Sequence, residues 1–382
     1  MSDFLSLLFD SGQGNTVLIY ILLFVFGSLL AFMSQNKCKF NKFWFAADFL
    51  LLWFFYAFND VGIDTEHYKY YFQQYAQFID CGAGGGAVEL LYQYLNVFLH
   101  LFTNSPDTAV AIVRTIQLSL FFYAVYLMRD RVRIGYAVMA YLALFYLDSF
   151  NLLRSSLAGS LCLLSFVWLY NKKYLLSIAL ALLAVGFHNS SLIYFGVLMM
   201  FFIINHKALA KRKLLLSILA IVMLAIVVNY GNSFIVGQIT ENDLGEGRYD
   251  NYVYGTSSAG LFVFLKYTPV FIILLLLAKK TSETEPRWWF MNFVWATASF
   301  TLALLGYQIG IITRVAIMFS QAYIFFIPYY MKIRSTPPVK KTAFLGSLCG
   351  PVMILFYIIM FVFTTASLYV PSGLNNFKFY WQ

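Results

Sequence analysis

The chain has 382 residues, of which 61% are hydrophobic, 20% aromatic and only 11% charged, and its mean hydropathy is +0.73. This composition excludes an ordinary soluble globular domain and indicates that lipid surrounds most of the chain. The net charge of +9 comes mainly from short basic clusters between apolar runs, which is a pattern of membrane topology and not of nucleic-acid binding.

Charge-poor apolar runs follow one another along the whole chain. They fall near residues 16–33, 43–58, 109–128, 134–147, 156–170, 174–187, 190–204, 214–230, 260–278, 288–306, 315–331 and 342–366. Because the runs are continuous and do not alternate with polar residues, they predict helices and not the strands of a barrel. The predicted fold is all-α, a polytopic membrane bundle of about 12 transmembrane helices in a single integral membrane domain, residues 1–382.

The N-terminal residues carry no basic segment and no small-residue cleavage site of the kind found in signal peptides. The first apolar run, residues 16–33, is therefore expected to be retained as a span.

Basic residues predict which side of the membrane each connection occupies. Six gaps between the runs hold 19 of the 26 Lys and Arg: Lys37, Lys39, Lys42; Arg129, Arg131, Arg133; Lys172, Lys173; Lys207, Lys211, Arg212, Lys213; Lys279, Lys280, Arg287; and Lys332, Arg334, Lys340, Lys341. The positive-inside rule assigns these gaps to the cytoplasm, which predicts a multi-pass inner (plasma) membrane protein with both termini periplasmic. This topology requires residues 88–103 to form a re-entrant or interfacial helix, since a full span there would reverse every later loop.

The same charges predict hairpins with tips on the outer side. The chain must turn near His188, near Asp148–Ser155 and near Gly306–Arg314, because the run around each of these points has basic clusters at both ends. These turns place His188, Arg154 and Arg314 at the outer membrane face. Cations are disfavoured there unless they have a role.

Two predicted periplasmic segments, residues 59–108 and 231–259, are long enough to do more than connect helices. Both are polar and rich in tyrosine. The candidate residues are Asp60 and Asp64 in the first segment, and Arg248 beside Tyr249 in the second. Aromatic rings next to a cation suit a sugar or a lipid headgroup, although interfacial tyrosines also simply anchor helices.

Two of the candidate side chains allow a structural interpretation as well as a functional one. Arg114 lies a few residues inside a span end, where an arginine can serve as a snorkelling anchor or belong to a site. His188 can be a packing residue or a catalyst. The four cysteines are scattered without a CxxC pair, so neither a disulfide framework nor a zinc site is expected. No metal and no cofactor are predicted.

The order of several short motifs resembles the EpsG-like and Wzy-type polysaccharide polymerases. In NLLRSSLAGSLCLLSFVWLYNKKYLLSIALALLAVGFHNSSLIYF, an R-Q-x-x-A-type start, a basic turn and an F-H-x-S-A-type hairpin correspond to Arg154, Ser155 and Ala158, then Lys172 and Lys173, then Phe187, His188, Ser190 and Ser191. Ser155 replaces the usual glutamine and Ser191 the usual alanine. The resemblance covers about residues 59–335.

Other parts of the chain resemble the same family. GIDTEHYKYY is similar to the family's G-x-D-x-x-x-Y segment through Gly62, Asp64 and Tyr68. Glu89, with Leu95 and Asn96, resembles its downstream acidic stretch, and Arg314 precedes a span that ends at Pro328. The resemblance implies a GT-C-like glycosyltransferase architecture. It also implies an O-antigen or capsule polymerase that moves a growing glycan from undecaprenyl pyrophosphate onto a new lipid-linked repeat unit at the periplasmic face.

That reaction requires cations for the departing pyrophosphate and a base for the acceptor hydroxyl. An arginine fork pairs with phosphate oxygens without a metal. We expect Arg154 and Arg314, with Arg248 as a third candidate, to bind the pyrophosphate, and His188 or Asp64 to act as the base. The residues expected to bind substrate are Arg248, Tyr249, Asp60, Tyr68, Glu89 and Arg114.

The expected partners are the lipid-linked donor and acceptor, the bilayer, a chain-length regulator and a flippase. Other functions stay open at this stage. A flippase or transporter of lipid-linked oligosaccharide would hold the same pyrophosphate, but it needs inner-facing charges that the spans lack. A membrane acyltransferase acting on a cell-surface glycan would also use an outer histidine. A structural scaffold would leave the outer charges without a purpose.

Overall fold

The computed structural model describes residues 14–36, 39–75, 89–205, 294–300, 316–320, 322–334, 343–369 and 372–381. The chain divides into two compact units. One consists of Met1–Asn189 with Tyr323–Gln382, and the other of Ser190–Ala322.

The described part of the first unit is helical apart from one small hairpin. Its elements are α1 (Gly14–Met33), β1 (Gln35–Asn36), β2 (Lys39–Phe40), α2 (Lys42–Ala57), α3 (Ile63–Tyr75), α4 (Leu90–Leu99), α5 (Pro106–Leu127), α6 (Ile134–Leu144), α7 (Asp148–Asn151), α8 (Leu153–Tyr170) and α9 (Tyr174–Phe187). β1 and β2 pair antiparallel, with Gln35 opposite Phe40.

The chain re-enters this unit near its C-terminal end. A π-helical turn (Ala322–Phe326) leads into α11 (Ile327–Arg334) and then α12 (Ala343–Leu368), after α10 (Leu192–Asn205) in the second unit. Residues 372–381 follow without a further helix.

Side-chain caps explain where two of the helices begin. Asn41 is extended, and its side chain accepts from the Phe43 amide at the start of α2. Ser105 caps α5 in the same way through the amide of Thr108, and Pro106 occupies the first turn, where its missing N–H is no loss.

Four helices in the described part are long and apolar enough to cross a membrane: Thr16–Met33, Pro106–Leu127, Leu153–Tyr170 and Gly350–Leu368. Shorter apolar helices accompany them at Leu90–Leu99, Ile134–Leu144 and Tyr174–Phe187. The protein is therefore a membrane-embedded helical protein, which confirms the class indicated by its composition. The runs predicted at residues 214–230 and 260–278 lie outside the described residues.

Two of the predicted turn points lie in the first unit. α6 is followed by the short helix α7 (Asp148–Asn151) before α8 begins, and α9 ends at Phe187 with His188 in an extended conformation. α4 has ten residues, a length of about 15 Å, so it is too short to cross the hydrocarbon core. The re-entrant or interfacial position of residues 88–103 stays a prediction.

The helices of the first unit pack in a definite order. α12 packs on α6, α6 on α1, α1 on α2, and α2 on α5. α5 also packs on α8, and α8 lies against α9. The short helices α3 and α4 contact each other, α3 also contacts α5, and α4 also contacts α9. Two of these pairs, α1 with α2 and α8 with α9, are also joined by short connections, so each of them forms a helical hairpin.

One end of this bundle holds the described basic clusters. Gln35 donates to the carbonyl of Arg129 at 2.9 Å and accepts from the amide of Ile134 at 2.7 Å. Lys332 donates to the carbonyl of Asp130 at 2.5 Å. The first unit thus brings together connections that are far apart in the sequence and share a positive charge.

The opposite end is covered by the C-terminal segment, residues 372–381. Its Phe377 amide donates to the Thr16 hydroxyl at 3.1 Å, and the Asp60 amide donates to the Lys378 carbonyl at 2.9 Å. The start of α1, the end of α2 and the segment after α12 therefore meet at this end, which is also where α8 begins and α9 ends.

The second unit is described over three stretches. They are Ser190–Asn205, which includes α10, the helical residues 294–300, and a short 3-10 turn (Ala316–Phe319) with Ser320. Tyr194 is buried, and its ring meets that of Trp295 edge-on at 5.8 Å. The Ser191 hydroxyl donates to the Met318 sulfur at 3.3 Å.

Candidate active site

A single carboxylate, Glu89, joins two of the predicted catalytic residues. Its Oε2 accepts from Nη1 of Arg154, and its Oε1 lies 2.9 Å from Nδ1 of His188. The backbone amide of Asn189 also donates to Oε1 at 3.2 Å. Only 9% of the Glu89 side chain is exposed, so these charged groups interact in a largely dry environment.

Three helix ends position this cluster. Glu89 stands immediately before α4, Arg154 is in the first turn of α8, and His188 follows the last residue of α9. The α8–α9 hairpin places the last two at the same end of the bundle. Gly186 allows α4 to approach α9, because a Cβ at this position would collide with Leu91.

Electrostatics keeps Glu89 ionised. Burial raises the pKa of its carboxyl, but the hydrogen bond with His188 and the charge of Arg154 outweigh burial and lower the pKa to about 2. An ionised carboxylate can only accept hydrogen bonds, so Nδ1 of His188 carries the proton in this contact. In the neutral imidazole, Nε2 then has its lone pair available to take a proton from a substrate hydroxyl.

Arg154 keeps some of its hydrogen-bonding capacity unused. Its Nη1 donates to Glu89, and its Nε is buried without a partner in the described part of the chain. The guanidinium, whose side chain is 19% exposed, can therefore pair with an incoming phosphate oxygen while it stays bound to Glu89.

Buried tyrosines surround Arg154. Its Cζ lies 5.9 Å from the centre of the Tyr92 ring, and the rings of Tyr92 and Tyr68 meet edge-on at 6.1 Å. The Tyr68 hydroxyl donates to the carbonyl of Asn151 at 2.9 Å. Tyr68 is predicted to bind substrate, but only 6% of it is exposed in this structure. Burial raises its pKa to about 12, so the hydroxyl stays protonated.

Asp64, the other predicted base, lies in the first turn of α3, one turn before Tyr68. Its backbone amide lies 3.4 Å from the side-chain oxygen of Asn151. Among the described residues none forms an ion pair with the Asp64 carboxylate, which is half-buried. Asp64 is therefore near Arg154 through Tyr68, but it does not belong to the hydrogen-bonded group around Glu89.

Asp60, predicted to bind substrate, belongs to a second charged cluster. Lys69 contacts Asp60 at 2.5 Å, Asp107 at 2.8 Å and Glu66 at 3.1 Å. Lys378, from the C-terminal segment, contacts the other oxygen of Asp60 at 2.8 Å. This cluster links the loop before α3, the start of α5 and the C-terminal segment.

The charged cluster around Asp60 should stabilise the fold over a wide pH range. Burial raises the pKa of Asp60, but its hydrogen bonds with Lys378 and Lys69 lower it below the ordinary value overall. Burial lowers the pKa of Lys69, and its bonds to Asp107, Asp60 and Glu66 raise it overall. The contribution of Asp60 to the stability of the fold is thus present at pH values above the ordinary carboxyl pKa and is lost as the pH falls below that pKa. The contribution of Lys69 to stability is lost only at strongly alkaline pH.

Lys69→Met should therefore lower the apparent Tm in detergent by roughly 3–6 °C between pH 5 and pH 9. The difference from the unchanged protein should shrink as the pH falls below about 4, where the carboxylates of the cluster become protonated. Lys378→Met is the matched control, because its side chain is 49% exposed and has one acidic partner in the described part. A Lys69→Met difference that grows on acidification would contradict the assignment.

Arg114 is enclosed by the protein. It is only 1% exposed, and it donates to the Asn59 carbonyl at 2.6 Å, the Thr65 hydroxyl at 3.0 Å and the Phe150 carbonyl at 3.3 Å. Its guanidinium thus joins the end of α2, the start of α3 and α7 behind the site. Substrate binding by Arg114 stays a prediction, and its described contacts are internal ones.

Arg114→Met should destabilise the protein by about 2–4 kcal/mol, because three buried acceptors would lose their donor. Thermal unfolding in detergent measures this as a lower apparent Tm. Arg131→Met, at the exposed basic end, serves as the control and should leave the Tm nearly unchanged. If Arg114→Met instead kept the Tm and lost only substrate binding, Arg114 would be a binding residue.

The remaining predicted site residues, Arg314, Arg248 and Tyr249, lie outside the described residues, as does the segment 231–259. The sequence prediction missed Tyr92, Asn151 and the amide of Asn189. Only Asn151 had a signal, since it begins the NLLRSS stretch that contains Arg154. Within the described ranges, no group of three His, Cys, Asp or Glu side chains could hold a metal ion.

The fold and the cluster together define a class of protein: a membrane-embedded helical protein with a polar, charged site at one end of its bundle. A family model described as the EpsG family matches residues 42–378. The chain therefore belongs to the EpsG family, a Wzy-like polymerase family, and is a membrane protein of polysaccharide biosynthesis. Comparison with curated proteins and with solved structures gives no match.

Proposed function

We propose that this protein is a polymerase of lipid-linked glycan repeat units, for an O-antigen or a capsule. It transfers the growing glycan from undecaprenyl pyrophosphate to a sugar hydroxyl of a new lipid-linked repeat unit at the periplasmic face of the inner membrane. A twelve-span bundle of the GT-C type, with both termini periplasmic, is part of this proposal. Membership of the EpsG family supports it at the level of polysaccharide biosynthesis.

The observation that carries the proposal is the bridge from Glu89 to both Arg154 and His188. Glycosyl transfer from a pyrophosphate requires a cation beside the leaving group and a base beside the acceptor hydroxyl. A shared carboxylate fixes both groups relative to each other before substrate arrives, and such preorganisation is a main source of catalysis.

In the proposed reaction, Nε2 of His188 removes the proton from the acceptor hydroxyl. The acceptor oxygen forms a bond to the anomeric carbon of the growing glycan, and the bond from that carbon to the pyrophosphate oxygen breaks. Arg154 pairs with the negative charge that develops on the departing pyrophosphate. The proton on His188 then passes to water. Arg314 and Arg248 are proposed as further pyrophosphate ligands.

Asp64 remains the alternative base. Its carboxylate is half-buried and lies on the same face of α3 as Tyr68, four residues away. His188 is favoured because the bond from Glu89 fixes its tautomer and leaves Nε2 unprotonated in the neutral ring, as general-base catalysis requires.

The arrangement of helix ends supports a periplasmic site. In the first unit, the described basic clusters lie at one end and Arg154, His188 and Glu89 at the other. If the basic end faces the cytoplasm, as the positive-inside rule predicts, the site faces the periplasm. A flippase that delivers the repeat units and a chain-length regulator are the proposed partners.

Reconstitution tests the function directly. The purified full chain, in vesicles that contain lipid-linked repeat units, should produce polymer without any energy source. Translocation of the repeat units without polymer would indicate a flippase, and transfer of an acyl group would indicate an acyltransferase. Either result would overturn the proposed polymerase.

A further inference from the structure

Three residues of one short segment converge on Asn151. The segment GIDTEHY begins the first polar region, and its Gly62, Asp64 and Tyr68 follow the Gly-x-Asp-x-x-x-Tyr pattern. The amide of Asp64 lies 3.4 Å from the Asn151 side-chain oxygen, and the Tyr68 hydroxyl donates to the Asn151 carbonyl at 2.9 Å. Gly62 faces the same side-chain oxygen.

Gly62 is required at its position for two separate reasons. Its φ of +102° lies in the region that side chains disfavour, and a Cβ there would collide with the side-chain oxygen of Asn151. The Phe150 carbonyl would also lie only 3.2 Å from that Cβ. The glycine therefore allows the loop before α3 to lie directly against Asn151.

Asn151 also connects this loop to the C-terminal segment. Its side-chain amide donates to the Ser372 carbonyl at 2.8 Å, and the Ile63 amide donates to the same carbonyl at 3.2 Å. Asn151 is 8% exposed, so its hydrogen bonds are formed away from bulk water. Its amide oxygen, amide nitrogen and backbone carbonyl are all engaged.

We call the contacts of Asn151 with Gly62, Asp64 and Tyr68 the clamp, and this clamp lies next to Arg154 in the chain. Asn151 is the last residue of α7, three positions before Arg154 in the first turn of α8. The Tyr68 proton is committed to the Asn151 carbonyl, so the hydroxyl oxygen is left as an acceptor on its other side. The Arg154 Cζ lies 5.9 Å from the centre of the Tyr92 ring, and that ring meets the Tyr68 ring edge-on at 6.1 Å, so the guanidinium lies beside this pair of buried tyrosines.

We infer that Asn151 and Tyr68 are positioning residues that orient the Arg154 guanidinium for a pyrophosphate, and that Gly62-x-Asp64-x-x-x-Tyr68 is the receptor for Asn151. The inference rests on the proposed function for the identity of the ligand. It reassigns Tyr68 from a direct substrate contact to an acceptor that acts through Arg154.

A double-mutant cycle tests the inference. The full chain is purified unchanged and as Tyr68→Phe, Arg154→Lys and the double variant. Three constants are measured for each protein: the affinity for a short isoprenyl pyrophosphate, and kcat and KM of polymer formation. Tyr68→Phe should weaken pyrophosphate binding by roughly tenfold and raise KM for the donor, while KM for the acceptor stays unchanged.

The double variant is the decisive one. If Tyr68 acts through Arg154, the pyrophosphate affinity of the double variant should lie within about twofold of that of Arg154→Lys alone. The reason is that Arg154→Lys has already removed the guanidinium that Tyr68 orients. Losses that multiply would overturn the inference. Tyr146→Phe is the matched control, since Tyr146 is a buried tyrosine whose hydroxyl donates to the Leu52 carbonyl at 2.8 Å. It should leave all three constants unchanged, and a loss there equal to that of Tyr68→Phe would overturn the specific role of Tyr68.

A second cycle examines Asn151 itself. Gly62→Ala and Asn151→Ala should each weaken binding, and the double variant should be no worse than Gly62→Ala alone, because the collision partner is gone. Independent losses would overturn the receptor assignment. If these variants fail to fold, the Tyr68 cycle still decides the inference.

The two proposals can fail separately. If the unchanged protein binds pyrophosphate but forms no polymer, the proposed function is overturned. The binding affinities of the double-mutant cycle then still test the clamp. Polymer formation with multiplying losses would remove the clamp alone. Absence of both binding and polymer would overturn both.

Discussion

Glu89→Gln is expected to lower the rate of polymer formation by roughly 10²- to 10⁴-fold, the range that a positioned acid–base pair contributes. Glutamine keeps the shape of the side chain but has one acceptor oxygen in place of two. Its amide would point N–H groups either at Nη1 of Arg154 or at Nδ1 of His188, both of which donate to Glu89. Either His188 would lose the hydrogen bond that fixes its tautomer, or Arg154 would lose the carboxylate oxygen that holds its guanidinium.

The same substitution should also lower stability, by about 2–3 kcal/mol, because it leaves a partly buried Arg154 without its carboxylate. The pKa of Glu89, about 2, lies below the ordinary 4.5. Its contribution to stability is thus complete above about pH 4.5 and is lost as the pH falls toward 2. Glu89 should not titrate in assays between pH 5 and pH 9.

Glu66→Gln is the matched control for this prediction. Glu66 is also a glutamate paired with a cation, Lys69, but its side chain is 73% exposed. Polymer assays and thermal unfolding should show it close to the unchanged protein. Polymer formation by Glu89→Gln at the unchanged rate would contradict the bridging role of Glu89.

The hairpins around the site could be predicted from charge alone. The positive-inside rule places the basic clusters Arg129–Arg133 and Lys172–Lys173 at the same membrane face. The apolar chain between them must therefore cross the membrane and turn back to that face. The structure has the short helix α7 at Asp148–Asn151 between α6 and α8, and α9 ends at Phe187, before His188. Topology is predictable here because the membrane allows a helix only two directions.

The contacts of Glu89 could not be predicted in the same way. It is 65 residues from Arg154 and 99 from His188 in the sequence, and nothing in a single chain specifies which loop lies over which helix end. The sequence indicated Glu89 only through a short acidic motif. Its place in the cluster depends on α4 packing against α9, where Gly186 leaves room for Leu91.

The role of Arg114 could not be predicted from the sequence for a different reason. A cation a few residues inside a span has two common uses, anchoring at the interface or serving a site, and both leave the same sequence pattern. The structure shows a third arrangement, in which the guanidinium donates to two carbonyls and one hydroxyl from three converging segments. This arrangement depends on the tertiary packing around α5.

Arg154→Lys is expected to reduce polymer to single repeat units while the protein level persists. Lysine keeps the positive charge but has one ammonium in place of a planar fork. The ammonium would be held at the buried Glu89 carboxylate, and lysine has no second nitrogen to form the other half of a fork with the pyrophosphate oxygens. Loss of one preorganised donor typically costs roughly 10²- to 10³-fold in kcat.

Chain length, resolved by gel electrophoresis of the glycan, measures this outcome in cells and in vesicles. Arg131→Lys is the matched control, because Arg131 is exposed at the basic end and contacts Tyr170 across a cation–π distance of 5.5 Å. It should give the chain length of the unchanged protein. Because Arg154→Lys leaves the net charge unaltered, a loss confined to it would assign the effect to the fork of the guanidinium, whereas full-length polymer would remove Arg154 from the reaction.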